Sequence, residues 1–96
     1  MKRVKPSEFP QLKQVFSGYF HEDFLQDYDS PNAALQAFLD DASPSERKRM
    51  ASEARRFLEA TKDLELEDLR ILLHRLGSRW HPESREALAD VLAEAI

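Results

Sequence analysis

The sequence predicts an all-α fold, a single compact domain of about five short helices in a bundle-like or orthogonal array. Three observations carry that expectation. Leu and Ala supply 24 of the 40 apolar and aromatic residues while Val and Ile supply 5, and sheets favour the β-branched types. The chain holds only 2 glycines, too few for the turns of a β sandwich or barrel. Helix start signals recur, with Ser30-Pro31 and Ser43-Pro44 each pairing an N-cap oxygen with a proline at the first helical position. A length of 96 residues with 42% apolar content suits one domain with one core.

Residues 1–8 read as a loosely ordered N-terminal lead. The first helix starts near Pro10. Phe9, Leu12, Phe16 and then Tyr19 or Phe20 recur at steps of three and four, and Gly18 is expected to end or tighten the helix. The stretch from Tyr19 to Asp29 is rich in aromatics and acids without a clean period, so it reads as an ordered loop or broken turn. Ser30 opens the second helix, with Leu35, Phe38, Leu39 and Ala42 on one stripe and Asp40 and Asp41 facing away. Ser43 and Glu46 form a capping box for a third helix running to about Lys62. That helix buries Met50, Ala54, Phe57, Leu58 and Thr61 and exposes Arg47, Lys48, Arg49, Arg55 and Arg56, with Arg49–Glu53 and Arg55–Glu59 as exposed four-residue pairs. A fourth helix spans about Glu67 to Leu76, and Gly77 follows as a left-handed terminator. A fifth presents Leu88, Val91, Leu92 and Ala95.

Composition excludes several function classes. Zero cysteines rule out disulfides, thiolate metal sites and cysteine nucleophiles. No apolar run approaches the ~20 residues of a membrane span. The basic stretch Met1–Pro6 has no apolar segment behind it, so no signal peptide is expected and the chain reads as soluble and cytoplasmic. His21, His74 and His81 lack the four-residue spacing of a zinc helix, and phosphate loops and the nucleophile elbow are missing. They read as structural histidines, with His74 placed to satisfy carbonyls at the end of its helix.

Charge is more informative. The net charge is −4, yet between Tyr19 and Ala42 stand Glu22, Asp23, Asp27, Asp29, Asp40 and Asp41 with no Lys or Arg. From Ser43 to Lys62 the balance is three acids against six bases. The acidic run fits either an anionic docking surface for a basic partner or a solvated loop with helix-terminal acids. The basic helix face in an acidic domain reads as solvated and ion-paired, not as a nucleic-acid site. Tyr19, Tyr28 and Trp80 carry polar groups beside loops, where either core packing or an interface role fits.

The run Phe9-Pro10-x-Leu12, then Gly18-Tyr19-Phe20-His21-x-Asp23-Phe24, resembles the start of the small helical immunity proteins of bacterial contact-dependent growth inhibition systems, the CdiI family. The likeness continues through Tyr28, Ser30-Pro31, Ala37-Phe38-Leu39 and Ala42-Ser43-Pro44 to Leu72-Leu73, Leu76-Gly77 and Trp80-x-Pro82. The last helix departs from it, lacking a tryptophan expected near Ala87 or Leu88.

The resemblance implies an antidote without catalysis, metal or cofactor, binding one-to-one to the toxin-bearing C-terminal domain of a cognate CdiA protein. Such toxins are commonly nucleases with basic clefts. On that footing Glu22, Asp23, Asp27, Tyr28, Asp29, Asp40 and Asp41 form the expected toxin-binding set, with no direct contact to nucleic acid or membrane and a monomeric antidote. His21 and Asp23 have a competing role in holding the turn after the first helix. Two other readings compete with immunity: a helical adaptor or regulatory subunit for a basic partner, and a small hydrolase built on His21 with Asp23.

Overall fold

The computed structural model describes residues 5–20 and 24–96, and for Pro6, Phe24 and Leu25 the backbone only. A 3-10 turn at Pro6–Glu8 leads into α1 (Pro10–Tyr19), followed by the one-turn α2 (Phe24–Asp27), α3 (Pro31–Asp41), α4 (Pro44–Ala60), α5 (Leu66–Arg75) and α6 (Arg85–Ala93). No strand occurs among the described residues. Five helices of nine residues or more stand where five are expected; α2 is the difference, lying inside the stretch read as loop or broken turn. Four residues complete too few repeats for periodicity to reveal a helix.

Local chemistry sets the boundaries. The Ser30 hydroxyl accepts from the Ala33 N–H at 3.1 Å, and Ser84 accepts from Ala87 in the same way. The Ser43–Glu46 capping box forms in both directions, at 3.2 and 3.3 Å. At the other end α4 stops at Ala60, two residues short of Lys62. The Thr61 N–H and hydroxyl both donate to the Phe57 carbonyl, at 3.0 and 2.8 Å, and close the last turn. Helix α1 runs one residue past Gly18, where an added Cβ would meet nothing within 4 Å.

Gly77 ends the α5 segment with φ of +98°, the left-handed conformation expected of it. Gly77 N–H donates to His74 O, and Ser78 N–H reaches back to Leu73 O. A Cβ on Gly77 would stand 2.7 Å from Ser17 Cβ, so the same residue lets α5 approach α1. Beyond it, the Arg79 N–H donates to Phe20 O at 2.8 Å and ties the link to the end of α1.

The core joins Leu12, Val15 and Phe16 of α1 to Leu35 and Phe38 of α3, and to Met50, Ala54 and Phe57 of α4. Leu69, Leu73, Leu88 and Leu92 complete it from α5 and α6. Each of these leucine, valine, phenylalanine and methionine side chains contributes ~1.5–3 kcal/mol by leaving water. Thr61 is buried as expected, and Leu58 only partly. The Cα radius of gyration is 12.3 Å, against about 12.5 Å for one packed domain of this length.

Glu53 corrects the sequence reading. It is not on the exposed face with Arg49 but 4% exposed, and Arg49 donates instead to Ser45 Oγ. Phe9 caps α1 without a side-chain hydrogen bond. Glu53 Oε1 takes that role from across the core, accepting from Gln11 N–H at 2.8 Å and Leu12 N–H at 3.1 Å. The carboxylate meets the positive end of the α1 dipole as well as two otherwise orphaned donors. Beside it the Phe9 ring packs edge-on against Phe57 at 5.3 Å, under the Arg56 guanidinium at 5.3 Å. The register is consistent with Met50, Ala54 and Phe57, since position 53 lies on the same stripe.

Replacing Glu53 by Ala leaves two N-terminal donors without their acceptor and a void beside them. We expect a loss of about 2–4 kcal/mol of unfolding free energy in urea titrations, with Glu53→Gln losing roughly half as much. A Glu53→Ala change below about 0.5 kcal/mol would remove the cap from the account of stability.

Candidate functional site

Two members of the acidic segment, Tyr28 and Asp41, come together at one side chain, Tyr19, in the last turn of α1. Its ring stacks on Tyr28 with centroids 6.2 Å apart and meets Phe38 edge-on at 5.7 Å. The Asp41 carboxylate at the end of α3 lies close enough for its charge to act on the Tyr19 hydroxyl. Asp41 is exposed, as expected, but lies three residues from Phe38, which brings it to the rim of the buried stripe and within reach of Tyr19. Tyr28 and Asp41 therefore belong to one surface. Asp27 and Asp29 flank Tyr28 in sequence and are exposed, and Asp40 is exposed with Gln36 Nε2 donating to it at 3.0 Å. His21, Glu22 and Asp23 lie outside the described residues, as does the side chain of Phe24.

Burial raises the Tyr19 phenol above its ordinary pKa of 10.0, and the negative charge of Asp41, with smaller effects of Tyr28 and Glu46, pushes the same way. Between Tyr19, Gln14, Phe38, Asp41, Ala42 and Glu46 lies a shallow depression of about 220 Å³, where α1, the end of α3 and the start of α4 meet. Glu46 enters this surface through its capping role; sequence reasoning treated it only as a cap. The signal for it was present, since the short Ala42-Ser43 connection holds Glu46 close to Asp41.

Elsewhere the charges have structural work. Arg47 Nε donates to Leu39 O at 2.7 Å, Arg56 lies over Phe9 and donates to Glu8 O at 3.4 Å, and Lys62 pairs with Glu59 at 2.8 Å. A wider groove of about 970 Å³ follows the end of α4 and the start of α5. Its walls mix Arg55, Arg56 and Lys62 with Glu59, Asp63, Glu65 and Asp68, so it carries no dominant sign. Trp80 is half-buried and packs on Phe20 at 5.5 Å, apart from the Tyr19 cluster.

His74 does not close its helix. The Leu76, Gly77 and Ser78 N–H groups already occupy the terminal carbonyls, and the exposed His74 ring stacks on His81 at 6.5 Å. Among the described residues no three His, Asp or Glu side chains converge on a metal position, and no helix is long and apolar enough to cross a membrane.

The chain is thus a small all-α body with Tyr19, Tyr28, Asp41 and Glu46 brought together where α1, α3 and α4 meet. Residues 8–92 match the family model described as CdiI immunity protein, and the chain belongs to that family. The match extends into α6, as far as Leu92. No curated protein and no solved structure matches the chain. Family membership assigns it to immunity against toxins of contact-dependent growth inhibition.

Ultraviolet titration of the folded protein should show a tyrosinate that forms only above pH 10 and disappears in Tyr19→Phe. Because the folded pKa exceeds the unfolded value, this contribution to stability is complete below about pH 10 and is lost as pH rises through the folded pKa. Two tyrosines titrating together at the ordinary value would contradict the burial and charge described for Tyr19.

Proposed function

We propose that this immunity protein neutralises its toxin by stoichiometric occlusion, using the face centred on Tyr19 to cover a basic, phosphate-binding surface of a nuclease domain. The protein binds and does not catalyse. It acts in the cytoplasm as a monomer in a 1:1 complex, through Asp27, Tyr28, Asp29, Asp40 and Asp41, with Glu22 and Asp23 adjoining in sequence. One observation carries this reading. Tyr28 and Asp41, thirteen positions apart in a segment without a single Lys or Arg, meet on Tyr19.

The chemistry follows from that placement. Carboxylates that stay solvated on a surface of one sign attract a basic protein over roughly a Debye length, ~8–10 Å at physiological salt, and accelerate association. The aromatic cluster then supplies area that leaves water on contact, which lengthens the complex's lifetime. Protection of a cell requires nanomolar affinity or better, ~12 kcal/mol, and steering with anchoring is a plausible division of that free energy. The mixed-sign groove at the end of α4 offers no comparable attraction.

The test is co-expression with the toxin domain encoded directly upstream, scoring survival and co-purification. It is followed by association kinetics across a salt series. Reversing Asp27, Asp40 and Asp41 to Lys should slow association at least tenfold at low salt and flatten its salt dependence. Association unchanged by these reversals would remove the acidic face from the binding mode.

A further inference from the structure

We propose that the depression beside Tyr19 is an anchor pocket for one cationic side chain, arginine or lysine, of the toxin domain. This rests on the immunity reading above and specifies what part of the partner the face recognises.

Its lining suits the charged end of such a side chain. Phe38 is almost wholly covered, at 3% exposed, so the Tyr19 ring and Ala42 supply the little apolar surface along which a stem can lie. The charged head of a lysine or arginine seeks polar partners. The partners stand at the rim, where Asp41 and Glu46 bring two carboxylates and Gln14 a carboxamide. The pocket is about 220 Å³, a volume suited to one long side chain and too small for a loop or helix.

Each rim group keeps acceptor capacity. Asp41 is exposed beside the Tyr19 hydroxyl, and a carboxylate can accept about four hydrogen bonds. Glu46 uses Oε1 for the Ser43 N–H, leaving its second oxygen for other donors. The nearest cation on α4, Arg47, has its Nε committed to Leu39 O. The ends of two helices also meet here. The negative end of α3 favours a cation and the positive end of α4 opposes it, so the two carboxylates decide the sign. Exposed acids such as Asp27 and Asp29 attract any basic surface, whereas two carboxylates set around one depression select one position on that surface. Steering and register are thereby assigned to different residues.

The experiment uses the full chain and the toxin domain encoded upstream, with dissociation constants measured for Asp41→Asn, Glu46→Gln and the double variant. Both substitutions are near-isosteric, and Gln at position 46 still completes the capping box, so thermal unfolding should match the parent. The double variant should bind about a hundredfold more weakly, the size expected when a buried charge loses its partner. An Ala scan of the toxin's lysines and arginines should then find one residue whose loss costs the same factor in the parent complex and almost nothing against the double variant. Its identity tells arginine from lysine. Equal binding by the double variant, or coupling spread evenly over many toxin cations, would overturn the pocket. If charge reversal at Asp27 and Asp40 still weakened that complex, the acidic docking face would stand without it. A parent chain that fails to bind the toxin at any salt would overturn both.

Discussion

The structure depends on a carboxylate held where carboxylates are seldom found. Glu53 lies on the inner stripe of α4, among Met50, Ala54 and Phe57, and receives the first N–H groups of α1. Desolvating it is costly, and that cost is offset only while two backbone donors and a helix N-terminus face it. The interaction consequently fixes both the distance and the rotation of α1 against α4. Hydrophobic contacts alone tolerate sliding by a fraction of a turn; a buried acceptor does not. Phe9 and Phe57, packed edge to face beside it, turn this polar contact into a clamp.

From that clamp the position of the surface follows. With its N-terminus pinned on α4, α1 delivers Tyr19 at its far end to the junction of α3 and α4, against Phe38 and Asp41. A face crowded with carboxylates weakens the fold through repulsion, and α3 supplies none of the cations that would relieve it. The buried leucines and phenylalanines and the serine caps, those of α3 included, offset that weakness. Core and surface share residues here, since Phe38 belongs to both and Glu46 caps α4 while lining the depression beside Tyr19.

Much of this was legible in the sequence because its signals were local. Serine caps, proline starts, the Gly77 terminator and the three- and four-residue stripes each act within one turn, and the five main helices follow from them. Glu53 was misassigned because a charged residue on a polar-looking helix invites an exposed pairing, and its true partners lie about forty positions away. His74 was misassigned for a related reason, since backbone donors after the helix took the carbonyls first. The acidic segment was visible as charge, but the meeting of Tyr28 and Asp41 at Tyr19 was not. That depends on where α3 ends relative to α1, a matter of tertiary packing. Asp41 shows the difference well: its exposure follows from periodicity, its contact with Tyr19 does not.

The two glycines carry unequal evolutionary burdens. At position 77 both handedness and the crowding by Ser17 exclude a side chain, so a lineage can change it only by rebuilding the junction of α5 with α1. At position 18 there is empty space, and any small residue would fit the helix at least as well. Whatever selects glycine there is not steric demand from within this fold. Next to Tyr19 in sequence, its bare backbone leaves the outer surface of α1 low at that point, open to close approach by a neighbour's main chain.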